Sequence, residues 1–156
     1  MTRYFENFYN DVPLVQIDET VARERDFYVE ELDAPRRYRL FVSGQLEAVK
    51  YPDWIDPREP LADLRARNEG VRGEIHSPVE YGTASRRWRI WYVDSHGNIE
   101  KILEPEFDDQ GRYLRENYRG PDGELRSYMV YAYNDCGELI EVVTYAPDGI
   151  VINRHD

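Results

Sequence analysis

The chain has one cysteine, three histidines and no long apolar run among its 156 residues. A single cysteine, Cys136, excludes an intrachain disulfide and a thiolate cage for a metal ion. No stretch approaches the roughly 18 consecutive apolar residues of a membrane helix, and the first residues lack the apolar core of a secretory signal. We therefore expect a soluble, cytoplasmic protein that makes no membrane contact.

Sequence motifs of catalysis are also missing. The histidines His76, His96 and His155 are far apart in sequence and form no metal-binding motif. No serine lies in a nucleophile elbow, and no glycine-rich phosphate loop opens a helix. We predict no catalytic residue, no metal and no cofactor. The abundant carboxylates leave one enzymatic alternative open, a carboxylate-dependent hydrolase.

Positive charge is scarce relative to negative charge. The chain has 20 Lys and Arg residues against 31 Asp and Glu residues, a formal net charge of −11. Affinity for a nucleic-acid backbone comes mainly from basic side chains that displace counterions, so a direct nucleic-acid partner is not expected. A basic protein is the partner that the charge favours, although an acidic surface that only aids solubility is the alternative.

Glycine recurs at near-regular intervals in the last third of the chain. The separations are 14, 12, 14 and 12 residues, and each glycine follows turn-forming residues; the five are Gly97, Gly111, Gly123, Gly137 and Gly149. The runs between them are rich in Tyr, Val, Ile, Leu and Trp, a composition typical of strands. The pattern predicts an antiparallel meander over 86–153. Its strands are expected in Trp88–Tyr92 and near 98–104, 112–118, 124–133, 138–145 and 149–153.

The first half of the chain predicts three more strands and one helix. The strands are expected at 26–32, 36–42 and 45–51, with a turn at Ser43-Gly44. The segment 52–84 interrupts the strand pattern, and Asp56, Pro57 and Glu59 mark the start of a helix near Pro57–Asn68. The segment 10–25 is left open, because Glu19–Arg25 fits either a short helix or an irregular lead-in.

These patterns together predict one mainly β domain over 1–156. It contains N-terminal strands at 26–51, a helix and loop insertion at 52–84, and the repeat-like meander at 86–153. The predicted sheet is an antiparallel meander of about eight or nine strands, curled or two-layered, with one short helix in the central insertion.

Four segments with tyrosine, turn residues and glycine at similar spacing carry a family resemblance: Phe107–Tyr113, Tyr118–Leu125, Tyr131–Leu139 and Tyr145–Gly149. They resemble the tyrosine-aspartate repeats of Rhs-type proteins, and more loosely the β-hairpin repeats of MORN-like proteins. The resemblance implies a strand and turn architecture. By association it also points to the small acidic immunity proteins and antitoxins of bacterial polymorphic-toxin systems, a fold-level analogy.

One acidic cluster stands out as a candidate contact surface, with aromatic residues expected around it. The predicted partner-binding residues are Glu104, Glu106, Asp108 and Asp109, together with Trp91, Tyr113, Tyr118 and Tyr128. Clustered carboxylates repel one another, so a cationic partner would relieve the repulsion, and aromatic side chains are common interface anchors. The alternatives are a hydrated turn and cross-strand packing.

The leading functional hypothesis is a non-catalytic protein-binding module, an immunity protein or antitoxin that covers a basic surface of a cognate toxin. The alternatives are a structural β-repeat module that self-associates, and the hydrolase. The sequence leaves the oligomeric state and the identity of the partner open.

Overall fold

A computed structural model of the chain describes residues 1–7 and 14–156. The chain is mostly β, and its described part contains fourteen strands, which pair in both directions, and two short helices. The predicted mainly β fold is therefore confirmed. The strands outnumber the predicted eight or nine because several are only two or three residues long, too short to leave a pattern in the sequence. The chain divides into two compact units, and the single domain stays a prediction.

The first unit comprises Met1–His76 and Val93–Asn98. Its elements are β1 (Arg3–Phe5), β2 (Gln16–Ile17), α1 (Glu19–Arg23), β3 (Phe27–Leu32), β4 (Arg37–Val42), β5 (Gln45–Tyr51), α2 (Arg58–Arg67) and β6 (Arg72–His76). The strands lie in the order β6-β5-β4-β3-β1-β2. The strands β5 and β6 pair in parallel, and α2 lies in the crossover connection that a parallel pair requires. Residues 10–13 of the segment that the sequence left open, 10–25, lie outside the described residues.

Local sequence signals account for the elements of this unit. Ser43 and Gly44 both have positive φ, as a two-residue hairpin turn of the primed type requires. The helix α2 confirms the predicted one, and the carboxylate of Asp56 accepts the backbone N–H of Arg58 at 2.9 Å. The left-handed residue that ends α2 is Asn68, with φ 48°, because asparagine tolerates this conformation better than other non-glycine residues.

Both helices of the first unit cover parts of its sheet. Ala22 of α1 packs with Tyr4 and Tyr28. Leu64 of α2 is buried, and a Cβ atom added at Gly73 of β6 would collide with its Cδ1. Glycine at position 73 therefore allows the close approach of helix and strand. The fully buried residues of this unit include Val29, Val49, Tyr51 and Ile75.

The second unit comprises Ser77–Tyr92 and Ile99–Asp156. Its elements are β7 (Glu80–Tyr81), β8 (Ser85–Arg87), β9 (Ile90–Val93, whose last residue belongs to the first unit), β10 (Ile99–Asp108), β11 (Tyr113–Arg119), β12 (Leu125–Tyr133), β13 (Leu139–Tyr145) and β14 (Val151–His155). From β10 to β14 consecutive strands pair antiparallel, β8 pairs with β10, and β7 pairs with β8. This is the predicted meander.

Two predicted strand boundaries were wrong. The run Trp88–Tyr92 is interrupted, since β8 ends at Arg87 and β9 begins at Ile90. The strand expected at 98–104 continues through Pro105 to Asp108. The two differences have one cause, because Pro105 lies opposite the interruption and accepts the N–H of Trp88 at 3.4 Å through its carbonyl. A proline, which has no N–H to donate, is tolerated at such an irregular position.

All five predicted glycine turns have the same hydrogen bonds. In each five-residue turn the first residue donates to the carbonyl of the fifth, and the glycine in fourth place donates to the carbonyl of the first. The turns span 94–98, 108–112, 120–124, 134–138 and 146–150. The glycines have φ between 80° and 89°, the left-handed region that favours glycine. The 14 and 12 residue spacings therefore reflect a single type of hairpin repeated along the chain.

Each hairpin of the meander also contains a bulge on its second strand. The bulged residue follows the turn glycine by three positions and is skipped by the pairing register; the four are Leu114, Arg126, Ile140 and Ile152. Bulges increase the local right-handed twist of a strand pair. The second unit, whose residues are all described, has no helix, and most residues of β11 and β12 are half-buried. It is a single layer of sheet.

Candidate functional site

The single layer presents two faces of different chemistry. Pairing register places Glu104 and Glu106 on one face with Arg115 and Arg119, joined by Arg89; we call this the ionic face. The opposite side, the aromatic face, includes Trp88, Phe107, Tyr113, Glu116, Met129 and Tyr131. Successive residues of a strand point to opposite faces, so the two sets alternate along the strands.

On the ionic face, Glu104 is bound by two arginines. Arg89 donates to its Oε2 at 2.7 Å through Nη2 and 3.0 Å through Nε, and Arg119 donates to its Oε1 at 2.5 Å. Burial by itself raises the pKa of Glu104, but the hydrogen bonds from Arg119 and Arg89 outweigh it and hold the pKa below its usual value. Glu104 is therefore an ionised part of the fold.

The other acids of the predicted cluster also have neighbours within the chain. Glu106 lies opposite Arg87 on one side and Arg115 on the other. Asp108 accepts the backbone N–H groups of Gln110 and Arg112 at 2.9 Å and the Arg112 guanidinium at 2.7 Å. Asp109 is exposed in the turn. The repulsion from which a cationic partner was inferred is thus largely relieved by arginines of the same chain.

The aromatic face carries a continuous row of four rings. Trp88 stacks on Phe107 with centroids 5.2 Å apart, Phe107 lies 4.3 Å from Tyr113, and Tyr113 stacks on Tyr131 at 5.2 Å. The hydroxyl of Tyr133 donates to the carbonyl of Tyr113 at 2.7 Å. Offset ring pairs at these distances add stability beyond the area they bury. The row runs from the end of β8 across β10 and β11 to β12.

Arginines of the chain already lie on rings at two points of this surface. The guanidinium carbon of Arg86 lies 5.6 Å from the centroid of Phe107, and that of Arg112 lies 5.0 Å from the centroid of Tyr133. Both distances are in the range of cation–π contacts. The aromatic face therefore accepts guanidinium groups on its rings.

Glu116 is the acidic residue of the aromatic face, and its surroundings differ from those of Glu104. It is half-buried and lies opposite Pro105 on one strand and Met129 on the other. Within residues 1–7 and 14–156 no hydrogen bond or ion pair reaches its carboxylate. Burial raises its pKa, and the attraction of Lys101 offsets this only in part. Burial also raises the pKa of Tyr113 and of Tyr131, and the Glu116 charge adds to both shifts.

The structure distributes the predicted aromatic residues over both faces and the core. Tyr113 belongs to the row, and Tyr118 lies on the same face, opposite Leu103. Tyr128 lies on the ionic face, where it stacks on Tyr145 at 5.0 Å under the Arg115 guanidinium. Trp91 is 6% exposed, which leaves it little surface for a partner. The predicted acids and Tyr113 therefore do not form one surface.

Sequence reasoning did not select Trp88, Phe107, Glu116 or Tyr131. Phe107 and Tyr131 stood in predicted turn and strand patterns, but residues that meet across strands are known only once the register is known. The bulge at Leu114 was the missing information, because it sets Tyr113 opposite Phe107.

Two other classes of site find no support in the described residues. In the described ranges no three His, Cys, Asp or Glu side chains come together as metal ligands. The helices found there are also too short and too polar to cross a membrane.

Comparison with known proteins does not assign a family. No protein-family model, no curated protein and no solved structure matches the chain. The resemblance to tyrosine-aspartate repeats stays a prediction. Function must therefore be argued from the geometry of the two faces.

Proposed function

We propose that this chain is a non-catalytic protein-binding module that receives its partner on the aromatic face. The observation that supports this is the row of four rings on a sheet that has no second layer in its own unit. An apolar sheet face is ordinarily buried by packing, and large exposed apolar patches mark interaction sites. Aromatic residues presented on a hydrogen-bonded sheet lose little conformational freedom on binding.

Charge favours a basic partner. The chain has a net charge of −11, which accelerates the approach of a positively charged protein and disfavours that of a nucleic acid. Since arginines of the chain compensate Glu104 and Asp108, we assign those acids to the fold. Affinity then comes from the rings, because exposed ion pairs contribute little.

The partner class that we propose is a cognate bacterial toxin domain, with this chain as the cytoplasmic immunity protein or antitoxin that occludes its basic surface. Support comes from the acidity of the chain and the resemblance of its repeats. The mechanism is steric, since a toxin surface covered by the aromatic face no longer reaches its substrate.

The test is rescue of a bacterial host from the protein encoded next to this chain. We expect that protein to inhibit growth when expressed alone and to be neutralised by the wild-type chain. Tyr131→Asp, which places a charge in the ring row, should abolish rescue. The matched control is Tyr128→Asp, a ring in the same strand on the ionic face, which should still rescue. Loss of rescue in the control alone would place the interface on the other face.

A self-associating repeat module is the second candidate, favoured by exposed apolar residues at the end of the meander. Ile150, Val151 and Ile152 are exposed, and among the strands that the structure describes β14 pairs only with β13. Unpaired edge strands promote association, although the bulge at Ile152 and the charge of Arg154 counteract it. Light scattering of the purified chain distinguishes the candidates. If the wild-type chain is a monomer and Ile152→Lys does not change its mass in solution, self-association is excluded.

A further inference from the structure

The centre of the aromatic face combines one unpaired carboxylate with two stacked rings. Glu116 has no hydrogen bond or ion pair from the described residues. Tyr113 and Tyr131, whose rings stack at 5.2 Å, lie near enough for their phenol groups to respond to its charge. A half-buried carboxylate without a partner is unfavourable for folding. Ionisable groups in such unfavourable surroundings are more frequent at functional sites than elsewhere in proteins.

Glu104 on the ionic face shows which contacts Glu116 lacks among the described residues. There two guanidinium groups, from Arg89 and Arg119, donate to one carboxylate in the same sheet. On the aromatic face the chain's own arginines lie over Phe107 and Tyr133. Among the described residues, the carboxylate of Glu116 has only the through-space attraction of Lys101, whose Nζ lies 4.9 Å from the centroid of Tyr92.

We infer that the centre of the aromatic face is a binding site for an arginine side chain of the protein partner. The guanidinium donates to the carboxylate of Glu116 and packs beside the rings of Tyr113 and Tyr131, whose facing sides already cover each other. Arginine fits better than lysine because its planar, weakly hydrated group pairs with a carboxylate in bidentate fashion and packs against aromatic rings. This inference rests on the proposed protein-binding function and names the group that this surface recognises.

The site can be tested without knowing the partner. The probe is N-acetyl-arginine methylamide, titrated into the full chain while the ring resonances of Tyr113 and Tyr131 are followed by NMR. We expect saturable shifts with a Kd of about 1–10 mM, the range for a single side chain. Glu116→Gln should weaken binding at least about tenfold, a loss typical of a charged pair. The control Glu138→Gln changes an exposed turn carboxylate and should bind as the wild type does.

Three results would overturn the inference. Absence of saturable shifts at probe concentrations well above the expected Kd range, or equal affinity in Glu116→Gln and the wild type, would exclude Glu116 as an arginine site. Equal affinity for N-acetyl-lysine methylamide would exclude selection of guanidinium. Circular dichroism confirms that the variants fold. The growth-rescue experiment is independent, so rescue without probe binding would disprove the arginine site alone, and probe binding without rescue would disprove the proposed toxin partner alone.

Discussion

In both compact units successive side chains of a strand point to opposite faces of the sheet. The two units differ in how deeply these side chains are buried. In the first unit Tyr51 and Ile75 are 0% exposed, and helices pack on β1, β3 and β6. In the second unit most residues of β11 and β12 are half-buried. Hydrophobic burial stabilises the covered unit. The single layer relies more on ring stacking, arginine–carboxylate pairs and turn geometry.

The same difference appears in two glutamates in the middle of strands. Glu74 in the first unit receives Nε2 of His76 at 3.0 Å and Nζ of Lys50 at 3.2 Å. Burial by itself raises its pKa, but these partners outweigh burial and bring the pKa to about 2. Glu116 in the second unit has no such partner in the described part of the chain, and burial raises its pKa. A buried charge thus stabilises the fold only where the fold supplies its counter-charge.

The largest expected loss of stability comes from a cavity in the first unit, whose sheet is covered by helices. Ile75→Ala removes a fully buried side chain and should cost about 2–5 kcal/mol of unfolding free energy. Ile152→Ala, the matched change in the single layer, removes a side chain that is 59% exposed and should cost about 0.5 kcal/mol or less. Urea unfolding with hydrogen exchange as a local readout measures both, and equal losses would contradict the comparison.

The second expected effect is a loss of stability of the first unit at acidic pH. Because the folded pKa of Glu74 is about 2 against an ordinary 4.5, its ionised form stabilises the fold above pH 4.5. This contribution is lost as the pH falls from there through 2. Glu74→Gln should cost on the order of 3 kcal/mol at pH 7. Unfolding measured from pH 7 to pH 3 should show the gap between wild type and variant closing, and a constant gap would show that the carboxylate charge is not the cause.

The third effect should be equal in both units, because both use left-handed glycine. Gly44 and Gly123 have φ of 75° and 84°, and a Cβ atom would meet nothing within 4 Å at either. Alanine should cost about 1–2 kcal/mol at each position through backbone strain alone. Gly123→Asn is the control and should cost less, since asparagine tolerates positive φ. Thermal unfolding that found the two alanine variants unequal would indicate that tertiary context matters at these turns.

The smallest expected effect is a gain in stability, whereas the other three are losses. The folded pKa of Glu116 is raised, so its ionised form opposes folding at neutral pH, and this penalty disappears as the pH falls through the folded pKa. Glu116→Gln should stabilise the chain at pH 7 by about 0.5 kcal/mol or less, given its partial solvent exposure. The gain should vanish at pH 4. A loss of stability at pH 7 would indicate that an unseen partner within the chain holds Glu116.

The candidate site was predictable only in part. Tyr113 and Tyr118 were selected from the sequence and lie on the aromatic face. Glu104 was selected as a contact for a partner, yet it pairs with Arg119, fifteen residues further on. That pairing depends on which residues of β10 and β11 lie opposite each other, and the bulge at Leu114 alters it. The composition gives the number of charged residues, but the pairing register determines which of them lie close together.

By itself the sequence determined the hairpins, because a glycine at positive φ and an aspartate or asparagine that accepts backbone N–H groups act within five residues. It also determined α2, whose start and buried leucines are local features. Only the tertiary structure decided which sheet region is covered by helices and which face carries the ring row. It also decided that the pKa of Glu74 is lowered and that of Glu116 is raised. These properties arise from contacts between residues distant in sequence, which local patterns do not encode.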